Sequence, residues 1–304
     1  MTPVRPRLSV IGPGKVGTAL ATLARDAGYR VHAVAGRNEA RSRAAAKELG
    51  PDVSVLSPVE AAATSELLLL TVSDSAIPAL VEELVAGARL NPGSVVVHCS
   101  GALASDVLSP LRGLGALGGA EEPVALASFH PLQTFPTVAA ALVSLPGSHC
   151  FLEGDARAVE VLEALGGAIG AKCVRIETDA KVLYHAAAVM ASNYLCALMD
   201  AALAAHEASG IDRETGMAAL RPLVQSTLDN IATMGPEAAL TGPIQRGDVL
   251  TIKLHLKALA EASPDLEALY RLLGQRTIAL ATKSGALDRT TQEELSQVIE
   301  DEAT

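Results

Sequence analysis

The stretch Leu8-Ser9-Val10-Ile11-Gly12-Pro13-Gly14-Lys15-Val16-Gly17-Thr18-Ala19-Leu20 carries most of the information about this chain's architecture. A short apolar run ends at Gly12, and Gly12-x-Gly14-x-x-Gly17 then opens an alanine-rich helical pattern. Each glycine has its own reason in that order. Gly12 permits a tight strand-to-helix turn, Gly14 lets a pyrophosphate approach the backbone, and Gly17 lets the helix pack closely on the sheet. The start of the helix offers unpaired N–H groups and a partial positive charge to phosphates. The residues expected to line that phosphate site are Gly12, Pro13, Gly14, Lys15, Val16 and Gly17.

The rest of the first half alternates short β-like runs with helical stretches, the pattern of a parallel sheet covered on both faces. Strands are expected at about 7–11, 30–35, 66–72, 94–98, 124–129, 148–153 and 171–176. Helices are expected at about 15–27, 38–49, 74–86 and 155–167. Leu67-Leu68-Leu69-Leu70 reads as a central strand buried on both faces. After Glu177 the β signals stop, and the chain reads as helical with breaks at Gly210, Gly235-Pro236, Gly242-Pro243 and Ser263-Pro264. Thr290-Thr291-Gln292-Glu293 suggests the N-cap of the last helix. The expectation is an α/β Rossmann domain with a doubly wound parallel sheet over residues 1–177, followed by an all-helical domain over 178–304.

At 304 residues the chain can bury two substantial cores. Its formal net charge of -10 argues against nucleic acid or an anionic membrane as partner, since both require a basic face. Cys99, Cys150, Cys173 and Cys196 form no CxxC pair, which suits reduced cytoplasmic thiols better than a disulfide frame or a zinc site. No metal is expected. The opening residues run straight into the first strand and read as no secretory signal. Tyr184 to Ala205 is apolar enough to imitate a membrane span, but it contains His185, Asn193 and Asp200. It reads instead as a helix buried on most sides by partner helices.

The second strand indicates which dinucleotide is bound. An NAD site usually places Asp or Glu at its end to hold the ribose 2′-hydroxyl. Here the strand ends in Gly36-Arg37-Asn38 with no carboxylate. Arg37 can pair with a 2′-phosphate, a charge-assisted contact worth roughly 1.5–3 kcal/mol, or tenfold and more in favour of NADP(H). Asn38 is either a cofactor contact or the N-cap of the next helix. Ser73, after the central strand, is likewise either a contact or a cap. Ser100 follows the next strand, where a nicotinamide would sit, and Cys99 beside it has nothing nearby to depress its pKa.

Three further motifs resemble one known group. Phe129-His130-Pro131-Leu132-Gln133-Thr134-Phe135, Tyr184-His185-Ala186-Ala187-Ala188 and Gly242-Pro243-Ile244-Gln245-Arg246-Gly247-Asp248 resemble the Rossmann-like proteins that carry a DUF2520 C-terminal domain. That group is similar in layout to ketopantoate reductases, pyrroline-5-carboxylate reductases, β-hydroxyacid dehydrogenases and F420-dependent NADP reductases. The resemblance implies NADP(H) chemistry, a homodimer formed through the helical domain, and ketopantoate as a substrate. The larger dehydrogenase families place a catalytic Lys on the first long helix after the sheet, with Asn four residues on. Lys181 fits the first position, and His185 takes the second.

Hydride transfer to a carbonyl leaves charge on oxygen, so the site needs a proton donor and polar groups around it. Lys181, His185 and Asn193 lie within a ~120° sector of one helix. Lys181 or His185 is expected to donate the proton, with Asn193 orienting the substrate. His130 and Gln133 end a strand on the side where open α/β sheets bind ligands. Arg246 suits a substrate carboxylate, and Asp248 either holds Arg246 or caps the following helix. The expected activity is an NADP(H)-dependent reductase of a small carboxylate-bearing substrate, a 2-oxo acid first and a cyclic imine second. An F420-dependent NADP reductase and a non-catalytic NADP-binding sensor or assembly protein are the alternatives.

Overall fold

The computed structural model describes residues 5–87, 89–115 and 123–301, so the opening residues 1–4 lie outside it. The chain divides into two compact units, Met1–Met190 and Ala191–Thr304.

The first unit begins β1 (Leu8–Ile11), α1 (Lys15–Asp26), β2 (Val31–Ala35), α2 (Glu39–Leu49), β3 (Ser54–Val55), α3 (Pro58–Ala63) and β4 (Leu67–Leu70). It continues through a 3-10 turn at Asp74–Ala76, α4 (Ile77–Gly87), β5 (Val95–His98), a 3-10 segment at Ser105–Gly115 and β6 (Ala125–Pro131). Next come α5 (Val138–Ser144), β7 (His149–Gly154), α6 (Ala156–Ala168), β8 (Lys172–Arg175) and a 3-10 turn at Thr178–Ala180, which leads into α7 (Lys181–Ala208). The strands form one sheet in the order β3-β2-β1-β4-β5-β6-β7-β8. Strand order reverses between β1 and β4, the switch point at which doubly wound sheets open a cleft beyond their carboxyl ends.

The leucine run explains why both faces are covered. Alternate side chains of a strand point to opposite faces. Leu67 and Leu69 join the core shared with α1, α5 and α6, while Leu68 and Leu70 join the one shared with α3 and α4. All four are buried.

Two features differ from the expected parallel sheet. Ser54–Val55 adds a two-residue edge strand, too short to show periodicity. The last two strands also run opposite to the first six, because β7 pairs antiparallel with β6, and β8 follows β7 in parallel. The connection through α5 returns the chain to the end of β6, where Pro131 pairs with Cys150, so β7 starts at that edge and runs back along its neighbour.

In the second unit, α7 continues to Ala208 and is followed by α8 (Arg213–Ala239), α9 (Val249–Ala262), α10 (Pro264–Lys283) and α11 (Arg289–Glu300). Ile244, Ile252, Leu256, Ile278, Ala281, Leu295 and Ile299 form its core. Gly235 interrupts α8 at φ 81°, the break expected at Gly235-Pro236. The N-cap of α11 is Asp288 rather than the threonines, since its carboxylate accepts from the backbone N–H of Thr291 at 2.8 Å. The expectation that the apolar Tyr184–Ala205 stretch is buried on most sides also fails. Met190, Tyr194 and Leu198 are exposed, Met190 at 62%. Thr178–Ala208 is long and apolar enough to cross a membrane by length and composition, yet it holds Lys181 and Asp200.

Candidate active site

The cleft at the switch point has a volume of roughly 1050 Å³ and is lined by the Gly12–Gly14 loop, Gly36–Arg41, Pro58 and the segment from Thr71. Gly12 sits at φ +97°, and a β-carbon there would lie 2.8 Å from the backbone nitrogen of Val72. A β-carbon on Gly17 would lie 2.7 Å from Gly12 O and collide with Thr71 Oγ1, which itself donates to Gly12 O at 2.7 Å. The two glycines therefore let β1, α1 and the end of β4 close on one another. Gly14 is the N-cap of α1 and no side chain caps it. By helix geometry the N–H groups of Lys15, Val16 and Gly17 have no partner within the helix. Pro13 lines the cleft, whereas the side chain of Val16 packs into the core and that of Lys15 is exposed.

At the end of β2 the cleft carries Arg37 and Arg41, with Glu39 and Glu83 also in its lining. Arg37 and Arg41 line the cleft, are exposed, and make no ion pair among the described residues. The nearby Glu39 is held at 2.5 Å by Arg43 on the next turn of α2. Asn38 caps α2, its Oδ1 accepting from the Arg41 N–H at 2.9 Å, and still lines the cleft. Arg41 escaped the sequence reading, although its place three residues after a cap puts it in the first turn beside Arg37. Ser73 lines the cleft as the N-cap of the Asp74–Ala76 turn, with no side-chain cap bond.

A second polar cluster gathers where β5, β6, β7 and α7 meet within the first unit. Lys181 is not at a solvated helix start. It is 0% exposed, and its ammonium donates to Ser128 Oγ and lies 3.9 Å from Glu153 Oε1. Burial is the main cause that pulls its pKa down. Glu153 also accepts from Ser105 N at 2.9 Å, Ser105 Oγ at 2.7 Å and Thr178 Oγ1 at 3.1 Å. A carboxylate that closes the apolar run Phe151-Leu152 was the available clue to that partner.

Nearer the loop after β5, four rings assemble. His130 Nδ1 lies 2.7 Å from the Tyr184 hydroxyl, and Tyr184 packs on Phe151 at a ring separation of 4.3 Å. The His185 and His130 rings meet edge to face at 5.5 Å. Both converge on Gly101, where a β-carbon would lie 2.8 Å from His130 Nε2 and collide with His185 Nδ1. That His185 nitrogen is buried with no hydrogen-bond partner among the described residues. Burial pushes the His130 pKa down to about 4, with Lys181 adding to the effect. His98 is also lowered to about 4, chiefly by burial; its Nε2 is 3.1 Å from Ala104 O, and its Nδ1 accepts from Ser100 N.

Other expected site residues fare differently. The Ser100 hydroxyl accepts from the N–H groups of Ala102 and Leu103, so it is engaged within its own turn and does not line the cleft. Gln133 Oε1 accepts from Thr134 N at 2.8 Å, which turns it onto its own loop. Burial pushes the Cys99 thiol up to about 12, consistent with an inert thiol. In the second unit Asp248 caps α9, accepting from Thr251 N and Oγ1, and its pKa is lowered chiefly by those two bonds. Arg246 and Asn193 are exposed in that unit. Among the described residues, no group of three His, Cys, Asp or Glu could hold a metal ion.

Sheet order, glycine loop and helical second unit together define a doubly wound Rossmann-like protein with a helical C-terminal unit. Residues 1–123 match the Rossmann-like domain family, and residues 148–277 match the domain of unknown function DUF2520. These are the two domains that the sequence motifs resemble. Among solved structures, a Thermotoga maritima protein is 25% identical, with a TM-score of 0.70 over 91% of this chain and 99% of that one. A Bacteroides fragilis protein described as an NADP oxidoreductase is 22% identical, with a TM-score of 0.69 over 91% of this chain and 98% of that one. A reductive aminase from Aspergillus terreus, solved with NADPH and ethyl levulinate, is 19% identical, with a TM-score of 0.61 over 96% and 99%. No curated protein matches the chain.

Proposed function

We propose that this chain is an NADP(H)-dependent oxidoreductase that reduces the carbonyl of a small carboxylate-bearing molecule, a 2-oxo acid such as ketopantoate being the first candidate. The observation that carries the cofactor assignment is the end of β2, where two arginines without acidic partners face a cleft that also receives an uncapped helix start. The free N–H groups at Lys15–Gly17 suit the pyrophosphate, and Arg37 with Arg41 suits the 2′-phosphate. When bound, NADPH supplies the hydride.

The residues of this chain then have separable tasks. His185 brings a buried, unpartnered ring nitrogen to the loop after β5 and is assigned the proton donation. His130 orients the reacting oxygen. Lys181, already engaged by Ser128 and Glu153, acts through its field and through Ser128 rather than by direct proton transfer. An imine substrate is the second reading, favoured by the likeness to a reductive aminase. The test is NADPH oxidation followed at 340 nm against 2-oxo acids, cyclic imines and F420. Turnover of one class is expected. Silence across the panel while NADPH still binds would favour the non-catalytic sensor.

A homodimer belongs to the same proposal. The 27 residues of α8 bury only Gly216, while Met217, Leu223, Leu228, Ile231 and Met234 are exposed. Helical stability in water comes mainly from packing an apolar face, and the exposed side of α7 needs cover for the same reason. A second copy would supply that cover, and light scattering should read twice the mass of the chain; a single-chain mass would end this part. With four free cysteines, the protein is assigned to the cytoplasm.

A further inference from the structure

Tyr184 has no part in the roles assigned so far, yet among the described residues it makes the one side-chain hydrogen bond to the His130 ring. We propose that Tyr184 is a positioning residue whose hydroxyl donates to His130 Nδ1, so that His130 presents a neutral Nε2–H as the hydrogen-bond donor to the substrate oxygen or imine nitrogen. This rests on the reductase reading of the same site.

The direction of the bond follows from the chemistry of the two groups. A neutral imidazole has one donor nitrogen and one acceptor nitrogen, and the acceptor is a far stronger base than a phenol oxygen. Burial pushes the Tyr184 pKa up, which keeps its proton on the oxygen. The hydroxyl makes no other hydrogen bond among the described residues, so its proton points to Nδ1 at 2.7 Å. With Nδ1 occupied as an acceptor, the ring's own proton must sit on Nε2. That nitrogen and His185 Nδ1 both pack against Gly101, where a β-carbon would lie 2.8 Å from the first and collide with the second.

Packing holds the arrangement in place. Tyr184 lies over Phe151, and Phe151 is the register partner of His130 across β6 and β7. The strand pair thus sets the spacing between imidazole and phenol. Around His130 the charged and titratable groups are Lys181, Tyr184 and His185 from α7, His98 from β5, and Asp74 from the turn after β4. Lys181, His185 and His98 disfavour a cationic ring and Asp74 favours one, while burial outweighs each of them. A neutral donor results, and the two histidines divide the work: His130 holds the acceptor atom, leaving His185 to deliver the proton.

Imidazole ¹⁵N resonances of the whole protein test the inference without any turnover. In the wild type, His130 should show a protonated Nε2 and an unprotonated, hydrogen-bonded Nδ1, unchanged between about pH 5.5 and 8 because its pKa lies well below the ordinary 6.5. Tyr184→Phe retains the ring on Phe151 and should shift the Nδ1 resonance toward that of a free acceptor. The same variant should lower kcat about tenfold with KM nearly unchanged, as expected for a contact that acts in the transition state. A wild-type proton on Nδ1, a His130 titration near 6.5, or an Nδ1 resonance unmoved in Tyr184→Phe would each overturn the proposal. A missing turnover in the wild type with these resonances intact would strike the reductase reading and leave the tautomer assignment standing.

Discussion

Replacing Lys181 by methionine is expected to lower the unfolding free energy by about 3 kcal/mol. Its ammonium and the Glu153 carboxylate are both sealed from solvent and 3.9 Å apart. Removing one partner of a buried ion pair leaves the other charge uncompensated, at a cost of about 3–5 kcal/mol. The lower end applies because three donors from Ser105 and Thr178 continue to serve Glu153. The paired change Lys181→Met with Glu153→Gln should recover much of the loss, since the stranded charge goes with it. Urea unfolding followed by circular dichroism measures both; the chain has no tryptophan to report by fluorescence. A loss below about 1 kcal/mol for the single variant would mean that the ammonium is not buried against Glu153.

The second large effect concerns cofactor choice. Arg37→Asp combined with Arg41→Asp should weaken NADPH binding by a hundredfold or more, taking roughly 1.5–3 kcal/mol for each charge-assisted contact to the 2′-phosphate. NADH should change by only a few-fold, because it carries no group at that position. Single variants divide the effect between the two arginines. Equal losses for both dinucleotides would remove the 2′-phosphate assignment and leave the arginines as solvated surface charges.

Which parts of this were readable in the sequence follows from how local each signal is. The glycine loop and the buried leucine strand are written in consecutive residues, so β1, α1, β4 and the switch between them could be foreseen. The reversal at β7 could not, since a strand's direction leaves no mark on its own composition and depends on where the whole connection through α5 returns the chain. Arg37 stood out because a strand end lacked its carboxylate. Arg41 did not, because its nearness to Arg37 arises only once α2 winds. Lys181 and His185 were found by position on α7, but their surroundings were not. Glu153 lies 28 residues before Lys181 and His130 lies 54 before Tyr184, and the sheet brings each pair together. The exposure of α7 was misjudged for a related reason: an apolar helix requires cover, and its sequence cannot say whether that cover comes from its own chain.

The central claim is a phosphorylated dinucleotide seated between the start of α1 and the end of β2, and calorimetric titration of the wild-type protein with NADPH and with NADH tests it most directly. The expected result is NADPH binding with an affinity at least about tenfold above that for NADH, the difference that one arginine–phosphate contact supplies. No heat on adding NADPH, or equal affinity for the two, would contradict it.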